Sequence, residues 1–214
     1  FRNINNGILI EVHWRLFGQT SLLPVPTEKV FAESQERVMA GKPIRLLSTN
    51  QNFEFLCLHG SVHQWFRLLW LRDIAQILEE RMVDFDEILI NAKKSNNEKP
   101  ILQAISLSNI FFGTNVPLNQ NQESKVKSIV IHAETAIISE ERLTLSHRIT
   151  RFRIPVYKMK LKPGFFYKLT CWSMLQPNFN DWKRVKLPDS LFFLYFLLRP
   201  FIWFYTFYMK KSKR

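Results

Sequence analysis

Two histidines in the first half of the chain have the spacing of a metal-binding pair. His59 and His63 lie four residues apart, one turn of a helix, so both imidazoles could face one metal ion. Asp73 lies ten residues beyond His63, too far along the same helix to complete such a site from one turn. Because buried polar groups normally have partners, we expect His59, His63 and Asp73 to form hydrogen bonds inside or at the rim of a packed helical core.

Two carboxylates one residue apart, Asp84 and Asp86, could share a divalent cation if they lay on a strand. The residues that follow them have a helical pattern, however, and Asp84 with Glu87 has the spacing of a capping box. Acidic residues in a first helical turn also interact favourably with the helix dipole. We therefore expect Asp84 to be the N-cap of a helix and not a metal ligand.

A third candidate pair lies near the start of the sequence. Residues Gly7 to Arg15 alternate between apolar and polar, which is typical of a half-buried strand. This period places Glu11 and His13 on one face and the apolar side chains on the other. A carboxylate in mid-strand could be a catalytic or metal-binding group, but the outer face of an antiparallel sheet explains it equally well. The spacing alone leaves both interpretations open.

Helices must position most of these residues, and the apolar spacing predicts where they lie. The strongest signal covers Asn52–Arg81, which has apolar residues on nearly every side, as a central packed helix would, and which Gly60 could divide in two. The other predicted elements are a loop over 20–27, a helix over Glu28–Ala40 ended by Gly41, a strand or extended connector over Lys42–Ser48, and helices over Phe85–Lys94, Pro100–Phe112 ended by Gly113, and Glu123–Ser139.

The last third of the chain is also predicted to be helical. Its expected elements are a helix from Glu141 to Phe152 or Leu161, a break at 162–164, a helix over Phe165–Leu175, a loop over Gln176–Pro188, and an aromatic-rich segment over Asp189–Tyr208. The apolar run from Leu191 to Tyr208 contains Arg199 and Pro200, so it is a poor candidate for a membrane span. We expect short amphipathic helices that pack on the domain or lie on a membrane surface.

Composition and charge narrow the class of protein. The chain has 214 residues, of which 46% are apolar and 22% charged, so intrinsic disorder is excluded as its main state. The net charge of +12 is uneven: Phe1 to Glu141 has 14 basic and 16 acidic residues, whereas Arg142 to Arg214 has 16 basic and 2 acidic. Cys57 and Cys171 lie in apolar runs without the spacing of a disulfide framework or zinc site, which indicates a cytoplasmic protein.

Several blocks of sequence occur together in a recognisable order. They are Ile10–Leu16 (IEVHWRL), Leu56–Gly60 (LCLHG), His63–Trp65, Asp73–Ala75, Phe85–Ile88 and, near the end, Asn180–Trp182, Leu187–Pro188 and Leu198–Pro200. In this order they resemble the uncharacterised nucleotidyltransferase family of the DNA polymerase beta superfamily. The final blocks are similar to the tail that follows this domain in bacterial members.

The resemblance implies an α+β fold, predominantly helical, with a remnant of a nucleotidyltransferase sheet followed by a helical portion. Glu11 is at the position that resembles the third catalytic carboxylate, so it is the implied catalytic residue and magnesium ligand. His13, on the same face, would contact substrate or orient Glu11, or it would have a packing role. The implied activity is transfer of a nucleoside monophosphate from an NTP to an unknown acceptor. Magnesium would neutralise the triphosphate, and carboxylate oxygens are its preferred ligands.

The sequence departs from the family pattern in one respect. A Gly-Ser turn leading directly into Asp-x-Asp, the paired active-site carboxylates, does not occur in the 214 residues, because the Asp84–Asp86 pair has no Gly-Ser turn directly before it. Either the chain is an N-terminally incomplete member, which we expect, or the protein has lost its catalytic strands; in both cases we expect this chain alone to be inactive. The expected organisation is a nucleotidyltransferase-like domain over 1–140 and a basic helical region over 141–214.

The basic third supports a second hypothesis of a different class. The chain could be a noncatalytic helical module that docks through residues 142–214 on an anionic membrane, at its inner face, or on a nucleic acid. Nucleic acid is the less favoured partner, because Phe and Trp cluster in apolar runs more than among the basic residues.

Overall fold

The computed structural model describes residue 16 and residues 27–138, 147–171, 179–198 and 201–202. Within these residues the chain is mostly helical, with one two-stranded antiparallel sheet, which confirms the predicted α+β, predominantly helical class. The chain divides into two compact units, 1–143 and 144–214. The strand predicted at 7–15 lies outside the described residues, as does most of the loop predicted at 20–27.

The first unit contains a short helix, a β-hairpin and five longer helices. Their bounds are α1 Thr27–Ala32, β1 Gln35–Met39, β2 Lys42–Leu46, α2 Thr49–Val62, α3 Leu68–Glu79, α4 Phe85–Lys94, α5 Glu98–Phe112 and α6 Gln120–Ile138. The helices predicted at 85–94 and 100–112 are confirmed. Gly113 ends α5 in the left-handed conformation (φ 69°), as its predicted role requires.

The helix predicted over Glu28–Ala40 is wrong. It ends at Ala32, and β1 pairs with β2 through a two-residue turn at Ala40 and Gly41, with Met39 opposite Lys42. Both turn residues have positive φ (49° and 75°), the conformation that two-residue hairpins favour. Gly41 therefore closes a hairpin and does not end a helix, while the strand alternative for Lys42–Ser48 is confirmed.

The long helical signal over Asn52–Arg81 forms two helices, but Gly60 does not divide them. Gly60 lies inside α2, and the chain turns between Val62 and Leu68, where Gln64 and Trp65 both have positive φ (57° and 55°). Trp65 is fully buried, and its backbone N–H donates to the Gly60 carbonyl over 2.8 Å. Gly60 is needed for close packing, because a β-carbon there would come within 2.2 Å of Trp65 Cζ3.

Two N-caps fix the starts of α2 and α4. Ser48 forms a complete capping box with Gln51, so α2 begins three residues before the predicted Asn52. Asp84 caps α4 as predicted, accepting from the Glu87 N–H over 3.0 Å. The reciprocal half of that predicted capping box is replaced by a tertiary contact, since the Glu87 carboxylate accepts from Asn50 Nδ2 over 3.1 Å.

The central helix of the first unit is α5, not the α2–α3 segment that the apolar pattern indicated. α5 packs against α2, α3, α4 and α6. Its buried stretch runs from Pro100 to Leu107 with one half-buried position. The buried Gln103 amide donates to the Ile129 carbonyl of α6 over 2.7 Å, and Lys125 pairs with Glu98. α6 begins three residues before the predicted Glu123, behind a capping box of Asn119 and Gln122.

The described part of the second unit contains one helix of 15 residues and several short helical segments. Their bounds are α7 His147–Leu161, α8 Phe165–Cys171, α9 Phe179–Arg184, a 3₁₀ turn at Asp189–Leu191 and helical residues at 194–198. The longer of the two predicted extents of the first helix is confirmed, and so is the break at 162–164. The loop predicted over Gln176–Pro188 is wrong in part, because α9 lies within it. Among the described residues, no helix has both the length and the apolar character that crossing a bilayer requires.

Candidate functional site

The structure describes only one of the two groups of predicted site residues. Glu11 and His13 lie outside the described residues, so their predicted catalytic, magnesium-binding and substrate-binding roles stay predictions. His59, His63 and Asp73 lie in the helical body of the first unit. The helical body is therefore the part of the candidate site whose geometry is described.

His59 and His63 lie one turn apart on α2, with ring centroids 4.6 Å apart. α3 brings Trp70 against both rings, because the turn after α2 folds the chain back. The His59 ring meets Trp70 edge-on at 4.7 Å, and the His63 ring lies 5.7 Å from Trp70. The structure thus places both histidines in a cluster of aromatic rings between two helices.

Phe55, Phe66 and Arg67 extend this cluster. Phe55 lies 5.6 Å from His59, and Phe66 meets Trp70 edge-on at 4.9 Å. The Arg67 guanidinium lies over both Phe66 (5.3 Å) and Trp70 (5.6 Å), within the range of cation–π attraction. We call these six residues the histidine–aromatic cluster: Phe55, His59, His63, Phe66, Arg67 and Trp70.

The cluster opens to solvent on one side. His63, Phe66 and Arg67 are exposed, whereas His59 and Trp70 are half-buried. A guanidinium held over aromatic rings at a surface keeps its charge and its five donors, and it can pair with a carboxylate or phosphate in two-pronged fashion. The cluster can therefore present a cation to an anionic ligand.

Asp73 does not join the cluster through a bond. It is half-buried on α3, one turn beyond Trp70, and its carboxylate makes no hydrogen bond or ion pair within the described part of the chain. Nor do the described residues contain a group of three or more His, Cys, Asp or Glu that could hold a metal ion. Asp84, the first member of the Asp-x-Asp pair, serves as a helix cap.

Polar side chains at the turn between α2 and α3 contact the neighbouring helices α5 and α6. Ser61 Oγ donates to the Pro100 carbonyl of α5 over 3.5 Å, and the Gln64 amide contacts His132 Nε2 of α6 at 3.1 Å. Trp65 Nε1 is buried and has no hydrogen-bond partner among the described residues. The Ser61 and Gln64 contacts connect the end of α2 and the following turn to α5 and α6.

Sequence reasoning missed the aromatic partners of the histidines. One signal was present, since Phe66 and Trp70 repeat at the same four-residue spacing as His59 and His63. What the spacing does not show is that the two pairs face each other across a sharp turn.

A second group of titratable side chains lies in the second unit. The Tyr167 hydroxyl donates to the Lys158 carbonyl over 2.9 Å, and Cys171 lies beside both side chains. Burial raises the pKa of Tyr167 and of Cys171, and burial lowers the pKa of the Lys158 ammonium.

In the first unit, burial and the nearby Glu54 carboxylate raise the pKa of Cys57 well above its usual range. Raised pKa values keep both thiols protonated, so neither cysteine is an activated nucleophile.

Comparison with known proteins bears on the first unit. A family model described as an uncharacterised nucleotidyltransferase matches residues 1–113, which extend from the Glu11–His13 segment through the end of α5. No curated protein and no solved structure matches the chain. The match covers more than half of the sequence and includes the histidine–aromatic cluster. The chain belongs to the uncharacterised nucleotidyltransferase family.

Proposed function

We propose that this protein transfers a nucleoside monophosphate from an NTP to an acceptor hydroxyl or phosphate. The observation that carries the proposal is the family match over residues 1–113. In this proposal Glu11 is a catalytic carboxylate and magnesium ligand, and His13, two residues further along the predicted strand, contacts substrate. The acceptor is not specified by any described residue.

Magnesium is part of the proposal because triphosphate transfer needs charge neutralisation. Bound at Glu11 with further carboxylates, it would offset the triphosphate charge and assist departure of pyrophosphate. Because the described residues provide no metal cluster, these further ligands must come from elsewhere in the protein. The described helices contribute a different element, a cationic surface.

We assign that surface to Arg67. Its guanidinium is exposed and lies over Phe66 and Trp70, and it has no acidic partner among the residues that the structure describes. An arginine in this setting suits the phosphates of an NTP or the charge of an acceptor. In the proposed enzyme the histidine–aromatic cluster forms one wall of the substrate cleft.

Nucleotide binding tests the proposal without knowledge of the acceptor. The protein, expressed from its complete reading frame, is dialysed to equilibrium against each of the four NTPs with Mg²⁺, and pyrophosphate release is measured in parallel. We expect saturable binding of at least one NTP. Absence of binding to all four would remove the nucleotidyltransferase assignment.

A substitution then tests the site itself. Glu11→Gln removes the carboxylate charge with little change in size, so it should abolish pyrophosphate release while the protein still unfolds cooperatively. Glu36→Gln is the matched control, because Glu36 is an exposed glutamate on β1. Equal turnover in both variants would remove Glu11 from the active site.

A further inference from the structure

The second unit exposes an unusual number of phenylalanine rings. Phe165 and Phe166, adjacent at the start of α8, are 74% and 80% exposed. Other large apolar side chains of the unit are also exposed: Leu169, Trp182, Phe192, Phe193, Phe196, Leu197 and Phe201. Two groups of them are contiguous, since Phe165 contacts Phe166 and Phe192 contacts Phe196 through their rings. Contiguous exposed apolar side chains commonly mark a site of interaction with another molecule.

In this unit tyrosine rings are buried, whereas phenylalanine rings are exposed. Tyr167 is buried and donates to the Lys158 carbonyl, which anchors α8 on α7 and leaves Phe165 and Phe166 exposed. Tyr195 is buried in the same way: its hydroxyl accepts from the Leu187 N–H over 3.1 Å and donates to the Val185 carbonyl. Polar-tipped rings therefore occupy interior positions, while wholly apolar rings face solvent, the reverse of the usual preference.

The charge around these rings is almost entirely positive. Residues 142–214 contain 16 basic and 2 acidic side chains, and one of the two, Asp181, is buried. Of the described basic side chains in the unit, five are exposed: Lys160, Lys168, Lys183, Arg184 and Lys186. An exposed surface with this combination matches a partner that is anionic at its surface and apolar below it.

We propose that the second unit docks on the surface of an anionic lipid bilayer through its described residues, with their exposed phenylalanine rings inserted between headgroups and their exposed basic side chains paired with the headgroups. A nucleic acid fits the charge but not the apolar surface. Leu169 and Leu197 offer no face on which a base can stack, and Phe165 and Phe166 meet edge to face, 5.8 Å apart. A second copy of the chain would bring two strongly positive surfaces together. This inference is independent of the proposed nucleotidyl transfer.

Vesicle flotation with the full chain tests the proposal. The protein is mixed with vesicles of phosphatidylglycerol and phosphatidylcholine in equal parts, or of phosphatidylcholine alone, and separated by centrifugation. We expect flotation with the anionic vesicles, at least tenfold weaker binding to the neutral ones, and loss of binding as salt is raised. Equal binding to both vesicle types, or none to either, would overturn the proposal.

Paired substitutions separate the contribution of the rings from that of the charge. Phe165→Ala with Phe166→Ala should weaken vesicle binding roughly tenfold or more, since each ring loses its burial in the interface. Phe192→Ala with Phe196→Ala should act in the same direction. The matched control is Phe31→Ala with Leu69→Ala, two exposed apolar side chains of the first unit, which should leave binding unchanged.

Two exposed lysines of the second unit test the contribution of charge, and two exposed lysines of the first unit are their control. Lys168→Gln with Lys186→Gln should weaken anionic-vesicle binding severalfold, whereas Lys42→Gln with Lys127→Gln, exposed lysines of the first unit, should not. Circular dichroism verifies that each variant is folded. The proposal fails if the phenylalanine pairs bind vesicles as tightly as the parent, if they instead dissociate an oligomer of the chain, or if RNA competes the parent protein off the vesicles through the same rings.

Discussion

The indole of Trp65 lies directly against the α-carbon of Gly60, on the inner side of the turn that joins α2 to α3. This contact lets the chain reverse within five residues, so that α3 returns Trp70 to His59 at 4.7 Å. The histidine–aromatic cluster therefore depends on a glycine that is not itself part of it.

The first prediction concerns this contact. Gly60→Ala would gain about 1 kcal/mol of helix propensity in α2. Its new methyl group would overlap the Trp65 ring, however, so we expect a net loss of about 2 kcal/mol in the free energy of unfolding. Urea denaturation measures it. In a Trp65→Leu background the same substitution should cost much less, and equal costs in both backgrounds would show that the ring is not what Gly60 accommodates.

The second prediction tests whether Asp84 is a helix cap or a metal ligand. Asp84→Asn retains an oxygen that can accept from the Glu87 N–H, so stability should change by only a few tenths of a kcal/mol, whereas Asp84→Ala should lose about 1 kcal/mol. NTP turnover by the Asn variant should equal that of the parent. Loss of turnover in a stable Asn variant would indicate that Asp84 holds a metal.

The third prediction tests the cationic surface. Arg67→Gln removes the charge over Phe66 and Trp70, so we expect KM for the NTP to rise about tenfold, while the unfolding free energy falls by no more than about 1 kcal/mol. Arg72→Gln, an exposed arginine on α3, is the control and should leave KM unchanged. Arg67→Lys should recover only part of the loss, because lysine cannot form a planar two-pronged pair. An unaltered KM in Arg67→Gln would place the NTP elsewhere.

Cys57 leads to the fourth prediction, on pH dependence. Burial raises the pKa of Cys57 in the folded protein, whereas in the unfolded chain the thiol ionises near pH 8.5. The folded state therefore keeps a proton that the unfolded state loses, and this contribution to stability is complete below about pH 8.5 and declines as the pH rises further. Cys57→Ala should flatten that decline relative to the parent.

Thiol labelling gives an independent measurement of the same burial. At pH 8 in native buffer Cys57 should react with a disulfide reagent far more slowly than in denaturant. The Cys171→Ala variant reports Cys57 alone. A native rate close to the denatured rate would contradict the burial of this thiol.

Local signals accounted for the elements that were predicted correctly. The cap at Asp84, the left-handed Gly113 and the break at 162–164 each depend on backbone chemistry within a few residues. The hairpin was missed because a glycine with positive φ fits a helix end and a hairpin turn equally well. Nearly all residues of β1 and β2 are exposed, so their sequence has no apolar alternation to indicate strands.

The candidate site was predictable only in its histidines. Their contact with Trp70 depends on the left-handed backbone at Gln64 and Trp65, residues whose types give no sign of that conformation. The central position of α5 was missed for a related reason. α3 is as apolar as a central helix, yet Leu68 and Leu69 face solvent at its start. Whether a helix is buried depends on which other helices pack against it, and sequence periodicity does not report this packing.

The hairpin has a consequence for how the protein behaves in concentrated solution. Among the described residues it is the only sheet, so each of its strands has one edge of unpaired backbone groups, a template for pairing between molecules. Pro43 lies opposite Val38, next to the closing pair of the turn, where a two-residue hairpin directs the backbone nitrogen outward. Its ring removes a donor from that edge, and Arg37 and Arg45 add charge along the strands. The ribbon is thereby protected against edge-to-edge aggregation.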